Sequence, residues 1–369
     1  MNFKKLMPII FFLFGGNCFA QGLSIAPDGG NKKASVNEII GITNVTIHYD
    51  RPGVKGREGK IWGGLVPYGF TDQGFGTSRA APWRAGANEN TTISFSTDVE
   101  IEGKPLAAGV YGLSLAMKED EATVIFSNNS TSWGSFFYDP KEDALRVDVK
   151  SVKTTEETQR LKYEFTDETE NSAVITMSWE YLKVPFKVSV DYVKTQMESF
   201  RRELRSNKGF QWEAWVQAAD FAVEHSTNLD EALQWSDYAI NGVFVGQKNF
   251  RTLSTKASVL SKLGKTDEAN ALMKEAMPLA NMADLHNYGR QLVNEKRYSE
   301  ALEAFKLNAQ KNPNVFTTNV GLMRGYAATG DYKNALKYAK RALPQSPDAA
   351  NKNAMEGFIK KLSEEKNIN

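Results

Sequence analysis

A single cysteine, Cys18, serves 369 residues, and only three histidines, His48, His225 and His286, are spread along the chain. No two histidines stand at helical ligand spacing, so no histidine metal motif is present. The basic and acidic side chains balance to a net charge of +1, which removes any global field that would favour nucleic acid. There is no Gly-x-Ser-x-Gly and no phosphate-binding glycine loop ending in Lys-Ser or Lys-Thr. Gly103-Lys104 runs into Pro105 and reads as a turn. The acidic run Thr166–Asn171 reads as a solvated hairpin turn rather than a calcium loop. A Ser-His-Asp arrangement stays open, because its members need not be close in sequence. No metal and no cofactor is expected.

Long apolar runs are also scarce. The most apolar stretch, Leu6–Phe14, follows Lys4 and Lys5 and precedes Cys18-Phe19-Ala20. A basic start, a short apolar middle and small residues at −3 and −1 form a secretory signal peptide over residues 1–20, with cleavage before Gln21. The stretch is too short for a membrane anchor, which needs about 20 apolar residues. Gly15-Gly16-Asn17 lacks the aliphatic residue expected ahead of a lipidated cysteine. Cleavage would remove Cys18, leaving a mature chain without disulfide, thiolate ligand or cysteine nucleophile. The expected location is periplasmic or extracellular, with no transmembrane segment in the mature chain.

What is present falls into two halves with different periods. From about Ser35 to Val190, within a domain read as residues 24–190, the period is two. Val45, Ile47 and Tyr49 alternate with Thr46, His48 and Asp50, and Ile93 and Phe95 repeat the pattern. Residues 99–117 suggest two strands around a turn at Gly103–Gly109. Further short runs end with "AVITMSW" and "VPFKVSV". Short strands punctuated by Gly, Pro, Asn and Asp predict an antiparallel sandwich or barrel-like domain. After Val190 the apolar residues Val193, Met197, Phe200 and Leu204 fall on one face of a helix. Residues 191–209 are read as a connecting helix stopped at Gly209.

Residues 210–365 repeat. In Leu285–Asn314, Tyr288-Gly289, Leu292, Tyr298, Ala301, Phe305 and Pro313 recur at fixed offsets, and Leu322, Tyr326, Gly330, Tyr332, Ala335, Ala342 and Pro347 follow 34 residues later. Ala257, Leu260, Gly264, Ala269 and Ala276, then Ala219, Ala232 and Ala239, mark two earlier units. The pattern resembles the tetratricopeptide repeat. It implies about four helical hairpins closed by a charged capping helix, and a protein or peptide partner.

The β-half carries Arg51-Pro52 with Lys55-Gly56-Arg57, Trp62–Gly69, Trp83–Asn88 and the Gly103–Tyr111 hairpin. In these elements it resembles the DUF2911 family of secreted bacterial proteins, mainly from Bacteroidetes. The family name denotes an unknown function, so the resemblance transfers no catalytic residue. One departure stands out: Phe70–Pro82 is inserted where the family pattern runs almost directly from Pro-Tyr-Gly into Trp-Arg.

The residues with chemical capacity are Arg51, Lys55, Arg57, Trp62, Tyr68, Trp83, Arg84 and Asn88 as ligand candidates. Arginine suits carboxylate or phosphate, and a tryptophan beside polar groups suits a sugar or a cation. A small anionic or carbohydrate ligand follows. Glu89 and Arg84 are the candidate acid or base and anion binder of a rival reading, an envelope or secreted hydrolase. That reading requires Arg51, Arg57, Arg84 and Glu89 to converge on one open cleft. The alternative is core anchoring by the tryptophans and internal pairing of the arginines.

Overall fold

The computed structural model describes residues 30–369; the expected leader at 1–20 lies outside them. The chain divides between Tyr192 and Val193 into two compact units.

The β-unit holds ten strands: β1 (Lys32–Ile40), β2 (Thr43–Arg51), β3 (Thr92–Phe95), β4 (Val99–Ile101), β5 (Lys104–Leu106), β6 (Gly109–Met117), β7 (Glu121–Ser127), β8 (Asp143–Lys150), β9 (Val152–Thr166) and β10 (Ser172–Ser189). Their sheets run β1-β2-β3-β6-β7-β8 and β5-β4-β10-β9, with every paired strand antiparallel. One apolar core lies between them, crossed by the edge-to-face contact of Phe126 on β7 with Phe186 on β10 at 6.0 Å. Alternation places Val45, Ile47 and Tyr49 inside and His48 outside. Asp50, expected on the polar face, is buried as well.

Two expectations about strands are corrected. Residues 99–117 form three strands, because Glu102 and Gly103 both take positive φ (49° and 75°) and make a tight two-residue hairpin between β4 and β5. β6 then joins the other sheet. "AVITMSW" and "VPFKVSV" are one strand, β10, of 18 residues. Its break is a pair of register shifts around Glu180, at φ 54°, not a turn.

The helical unit holds α1 (Tyr192–Glu203), α2 (Trp212–Glu224), α3 (Leu229–Asn241), α4 (Phe250–Lys262), α5 (Thr266–Ala276), α6 (Met282–Asn294), α7 (Tyr298–Lys311), α8 (Phe316–Ala328), α9 (Tyr332–Ala342) and α10 (Ala349–Ser363). α2 to α9 form the four hairpins of a tetratricopeptide-like solenoid. α1 ends before Gly209, and its Met197, with Leu204, enters the core made by Ala218, Ala219 and Trp235 of the first hairpin. The small residues of the repeat pattern are buried where helices approach: Ala232, Ala239, Ala257, Ala269, Ala301 and Ala335. α10 buries only Met355 and Leu362, as a helix covering one end of a stack does. Among the described residues no helix is long and apolar enough to cross a membrane.

Candidate functional site

The stretch between β2 and β3 carries both sequence motifs, and its backbone is stitched to β6 at two points. Tyr68 bridges Met117, with Gly69 N–H donating to Met117 C=O at 2.7 Å. Trp83 bridges Leu115, exchanging hydrogen bonds of 2.9 and 2.8 Å. The two motifs therefore leave the same strand two residues apart, and a cleft of about 550 Å³ opens between them.

Each wall has a local reason. In the first motif, Lys55 and Gly56 take positive φ (54° and 71°), which turns Arg57 back on its own loop. Its Nε donates to Val54 C=O at 3.0 Å and its Nη2 to Gly53 C=O at 2.7 Å. In the second motif, the Trp83 indole N–H donates to Gly86 C=O at 3.1 Å. A Cβ on Gly86 would lie 2.6 Å from Thr91 Oγ1, so only glycine fits that approach. Ala85, at φ 51°, has its carbonyl held by Tyr163 Oη at 2.8 Å and Thr91 Oγ1 at 3.2 Å. Arg84 donates to Asn88 C=O at 2.6 Å and lies over the rings of Trp133 and Phe136, at 5.3 and 5.0 Å. Burial lowers its pKa from the ordinary arginine value.

Lys55, Arg57, Trp83, Arg84 and Asn88 line the cleft. Arg51, Trp62, Tyr68 and Glu89 do not. Arg51 donates to Leu161 C=O at 2.8 Å, extending the pairing of the β2 exit with β9. Trp62 packs against the core and meets Trp83 and Trp179 at 5.7 and 5.8 Å. Tyr68 lies against Gly63, where a Cβ would stand 2.8 Å from its ring. Glu89 is exposed and pairs with Lys33, whose amine also lies 3.7 Å from Asp50. The four residues of the rival reading thus do not converge. The cleft holds neither Glu89 nor Arg51, and among the described residues its lining has no Asp, Glu, His or Cys.

Two contributors went unseen in the sequence. Trp179, about a hundred residues from Trp83, stacks on it at 5.9 Å with 20° between planes, and lines the cleft. Phe136 lines it too. The inserted segment is a wall rather than a cover. Thr71 and Ala81 pair as an antiparallel bridge, and Thr71, Gln73 and Ala81 face the cleft. Its far end packs Phe75 edge-on to Phe136 at 5.3 Å, and Ser78 N–H donates to Phe136 C=O at 3.0 Å. Among the described residues, no group of three or more His, Cys, Asp or Glu is placed to hold a metal ion.

The region that builds this cleft is also where the chain meets known proteins. Residues 31–188 match the DUF2911 family model, described as a protein of unknown function. The matched region contains every described residue that lines the cleft. No curated protein matches the chain. The helical unit is similar to solved tetratricopeptide repeat proteins. YrrB, described as having an unusual peptide-binding site, is 19% identical over 45% of this chain and 84% of its own, with a TM-score of 0.30. A tetratricopeptide repeat protein from Parabacteroides merdae is 18% identical over 47% and 70%, with a TM-score of 0.31. The C-terminal part of one from Cytophaga hutchinsonii is 15% identical over 47% and 72%, with a TM-score of 0.33.

Proposed function

We propose that this is an exported binding and scaffold protein: the β-unit takes a small anionic ligand and the helical repeats take a protein or peptide partner. The observation that carries the ligand half is the composition of the cleft. Among the described residues, Lys55, Arg57 and Arg84 are its only ionisable lining residues. Among the described residues, no carboxylate forms an ion pair with any of them. Unneutralised cations in a concave, partly dry site attract an anion. A sugar is the weaker reading, because the cleft offers no carboxylate to accept hydroxyl hydrogens. General acid or base catalysis by a carboxylate or an imidazole finds no such residue in the described lining.

For the partner half, Arg290 on α6 and Arg324 on α8 stand 34 residues apart, at equivalent repeat positions, and no carboxylate pairs with either among the described residues. Burial and the neighbouring Arg290 lower the Arg324 pKa. An acidic peptide segment would relieve that repulsion. Export rests on the leader logic of residues 1–20, and places the protein in the periplasm or outside the cell.

The test is a thermal-shift panel on the full chain. Small organic anions should raise the midpoint of the wild type and fail to raise that of an Arg57→Gln, Arg84→Gln double variant. Stabilisation by neutral sugars alone would transfer the site to the carbohydrate reading. For the repeats, fluorescence anisotropy should show acidic peptides binding and losing affinity on Arg290→Glu. Equal binding of acidic and basic peptides would remove the electrostatic argument.

A further inference from the structure

The cleft is much larger than an anionic group alone requires. At about 550 Å³ it falls within the roughly 300–1,000 Å³ range of sites that hold whole organic molecules. Apolar side chains share the rest of the lining with polar ones: Leu65, Pro67 and Phe136 stand in the walls, and Trp83, backed by the buried Trp179, forms the floor. Trp179 is buried, and among the described residues its indole N–H has no acceptor. Trp62 behind it has the same unmet donor. Both of these donors are covered, so what the floor offers a ligand is carbon surface, chiefly that of the half-buried Trp83.

The two guanidiniums are preorganised differently from ordinary surface arginines. Arg57 is fixed by two carbonyls, and Arg84 by one carbonyl and two aromatic rings. Nothing needs to be ordered when an anion arrives, so the entropy cost of binding is low. Large apolar side chains are exposed on the wall and beside it, where Trp133 and Phe75 contact Phe136. Leu65 is 50% exposed, Trp133 57% and Phe75 64%. Exposed apolar residues clustered beside a cleft mark a recognition surface.

Resting on the anion-binding reading above, we propose that the natural ligand is an amphipathic organic anion: a flat apolar body, of about one to three fused rings, bearing a carboxylate, sulfonate or phosphate. The body lies against the tryptophan floor and Leu65. The anionic group meets Arg57 and Arg84, with Lys55 adding charge at the edge.

Isothermal titration calorimetry on the full chain tests this with three probes: 2-naphthoate, its neutral analogue 2-naphthamide, and inorganic phosphate. The expected result is that naphthoate binds and naphthamide binds roughly tenfold more weakly or worse, the loss of a charge-assisted pair. Arg57→Gln and Arg84→Gln should each weaken naphthoate by a similar factor. Arg79→Gln, an exposed residue paired with Asp72 outside the cleft, should leave it unchanged. If phosphate binds in an arginine-dependent way and naphthoate does not, the amphipathic ligand is overturned while the anion site stands. If naphthoate and naphthamide bind alike and the arginine variants have no effect, both readings fall. They also fall if none of the three binds. Should Arg84→Gln disturb folding, Lys55→Met removes a cleft charge that makes no stacking contact. A weakening of naphthoate but not of naphthamide in that variant supports the amphipathic anion, and equal affinities in variant and wild type count against it.

Discussion

The Glu180 carboxylate accepts the backbone N–H of Gly59, across 121 residues of sequence. Two rules are broken to make that bond. A glutamate is 4% exposed, and it takes φ 54° inside a strand, a conformation that costs about 1–2 kcal/mol for a residue with a Cβ. Glu180 follows Trp179 of the cleft floor, and Gly59 stands two residues after Arg57 of the cleft wall. The bond therefore ties floor to wall, which accounts for strain being kept at this position.

Glu180→Ala should cost roughly 1.5–3 kcal/mol, the range for a hydrogen bond to a charged acceptor, measured by urea denaturation. Amide exchange at Gly59 should accelerate. Glu180→Gln keeps an acceptor oxygen and should cost less. Unchanged Gly59 exchange in Glu180→Ala would sink the pinning role.

Glu89 is expected to matter little. Its pair with Lys33 is open to water, with side chains 60% and 55% exposed, and exposed pairs contribute about 0–1 kcal/mol. The hydrogen bond that Lys33 donates to Glu89 is the main cause raising the Lys33 pKa, a surface effect that salt should screen. Glu89→Gln should shift stability by less than about 1 kcal/mol and leave ligand affinity in the cleft intact. Abolished binding in Glu89→Gln would return this residue to the site.

The architecture was legible because it is written in periods. Alternation marked β2 and β3, and recurring alanines and aromatics marked the four hairpins. What could not be read was pairing at long range. Nothing near Arg51 announces that its guanidinium is used by Leu161 C=O. Nothing around Trp179 announces that it completes an indole cluster with Trp62 and Trp83. The motif Trp83–Asn88 was visible as a string, yet its meaning lies in partners from elsewhere, Thr91 and Tyr163 for the Ala85 carbonyl and Phe136 for Arg84. Gly264 and Gly330 showed helix ends plainly, whereas Ser226 and Lys296 do the same work without the expected residue.

That last contrast is quantitative. After α2, α4, α6 and α8 the chain turns through Ser226, Gly264, Lys296 and Gly330, at φ 50°, 78°, 62° and 80°. In each case the next N–H returns to the helix, as with Arg297 to Leu292 C=O at 2.8 Å and Asp331 to Tyr326 C=O at 2.9 Å. This is the Schellman closure, for which glycine is the unstrained residue. Lys296→Gly should therefore stabilise the protein by about 0.5–1 kcal/mol, after the entropy glycine adds to the unfolded chain. Gly330→Ala should destabilise by a similar amount. Thermal unfolding of the two variants checks the sign, and a destabilised Lys296→Gly would contradict the assignment.

Phe305 on α7 is fully buried in a nest of three glycines from two helices. A Cβ on Gly289 would stand 2.5 Å from its ring, one on Gly321 2.6 Å and one on Gly325 2.9 Å. The small residue beside the large one is thus a space requirement, set by one aromatic side chain. Gly321→Ala should cost about 1–3 kcal/mol, the usual range for overpacking. Phe305→Leu should recover part of that loss in the double variant. Additive effects in the double-mutant cycle would show that the two positions do not compete for the same volume.

His286 should give the helical unit a defined acid sensitivity. It packs 5.9 Å from the Phe305 ring, and its Nδ1 is buried without a partner. Burial is the main cause lowering its pKa below 6.5, and Arg290 on its own helix and Arg324 on α8 lower it further, against a raising hydrogen bond with the Thr317 backbone. The folded state thus resists protonation that the unfolded chain accepts. Above the unfolded value of about 6.5 the stability is fully present. As pH falls below it, the unfolded state binds the proton first and stability is lost down to the lower folded pKa. His286→Gln cannot titrate and should lose less stability than the wild type between pH 7.5 and pH 5. Other titrating groups are common to both chains, so the difference between the two denaturation series isolates this residue. An anion bridging Arg290 and Arg324 would ease protonation of His286 and shrink that difference, whereas identical pH profiles for the two chains would show that the imidazole is not held neutral by its surroundings.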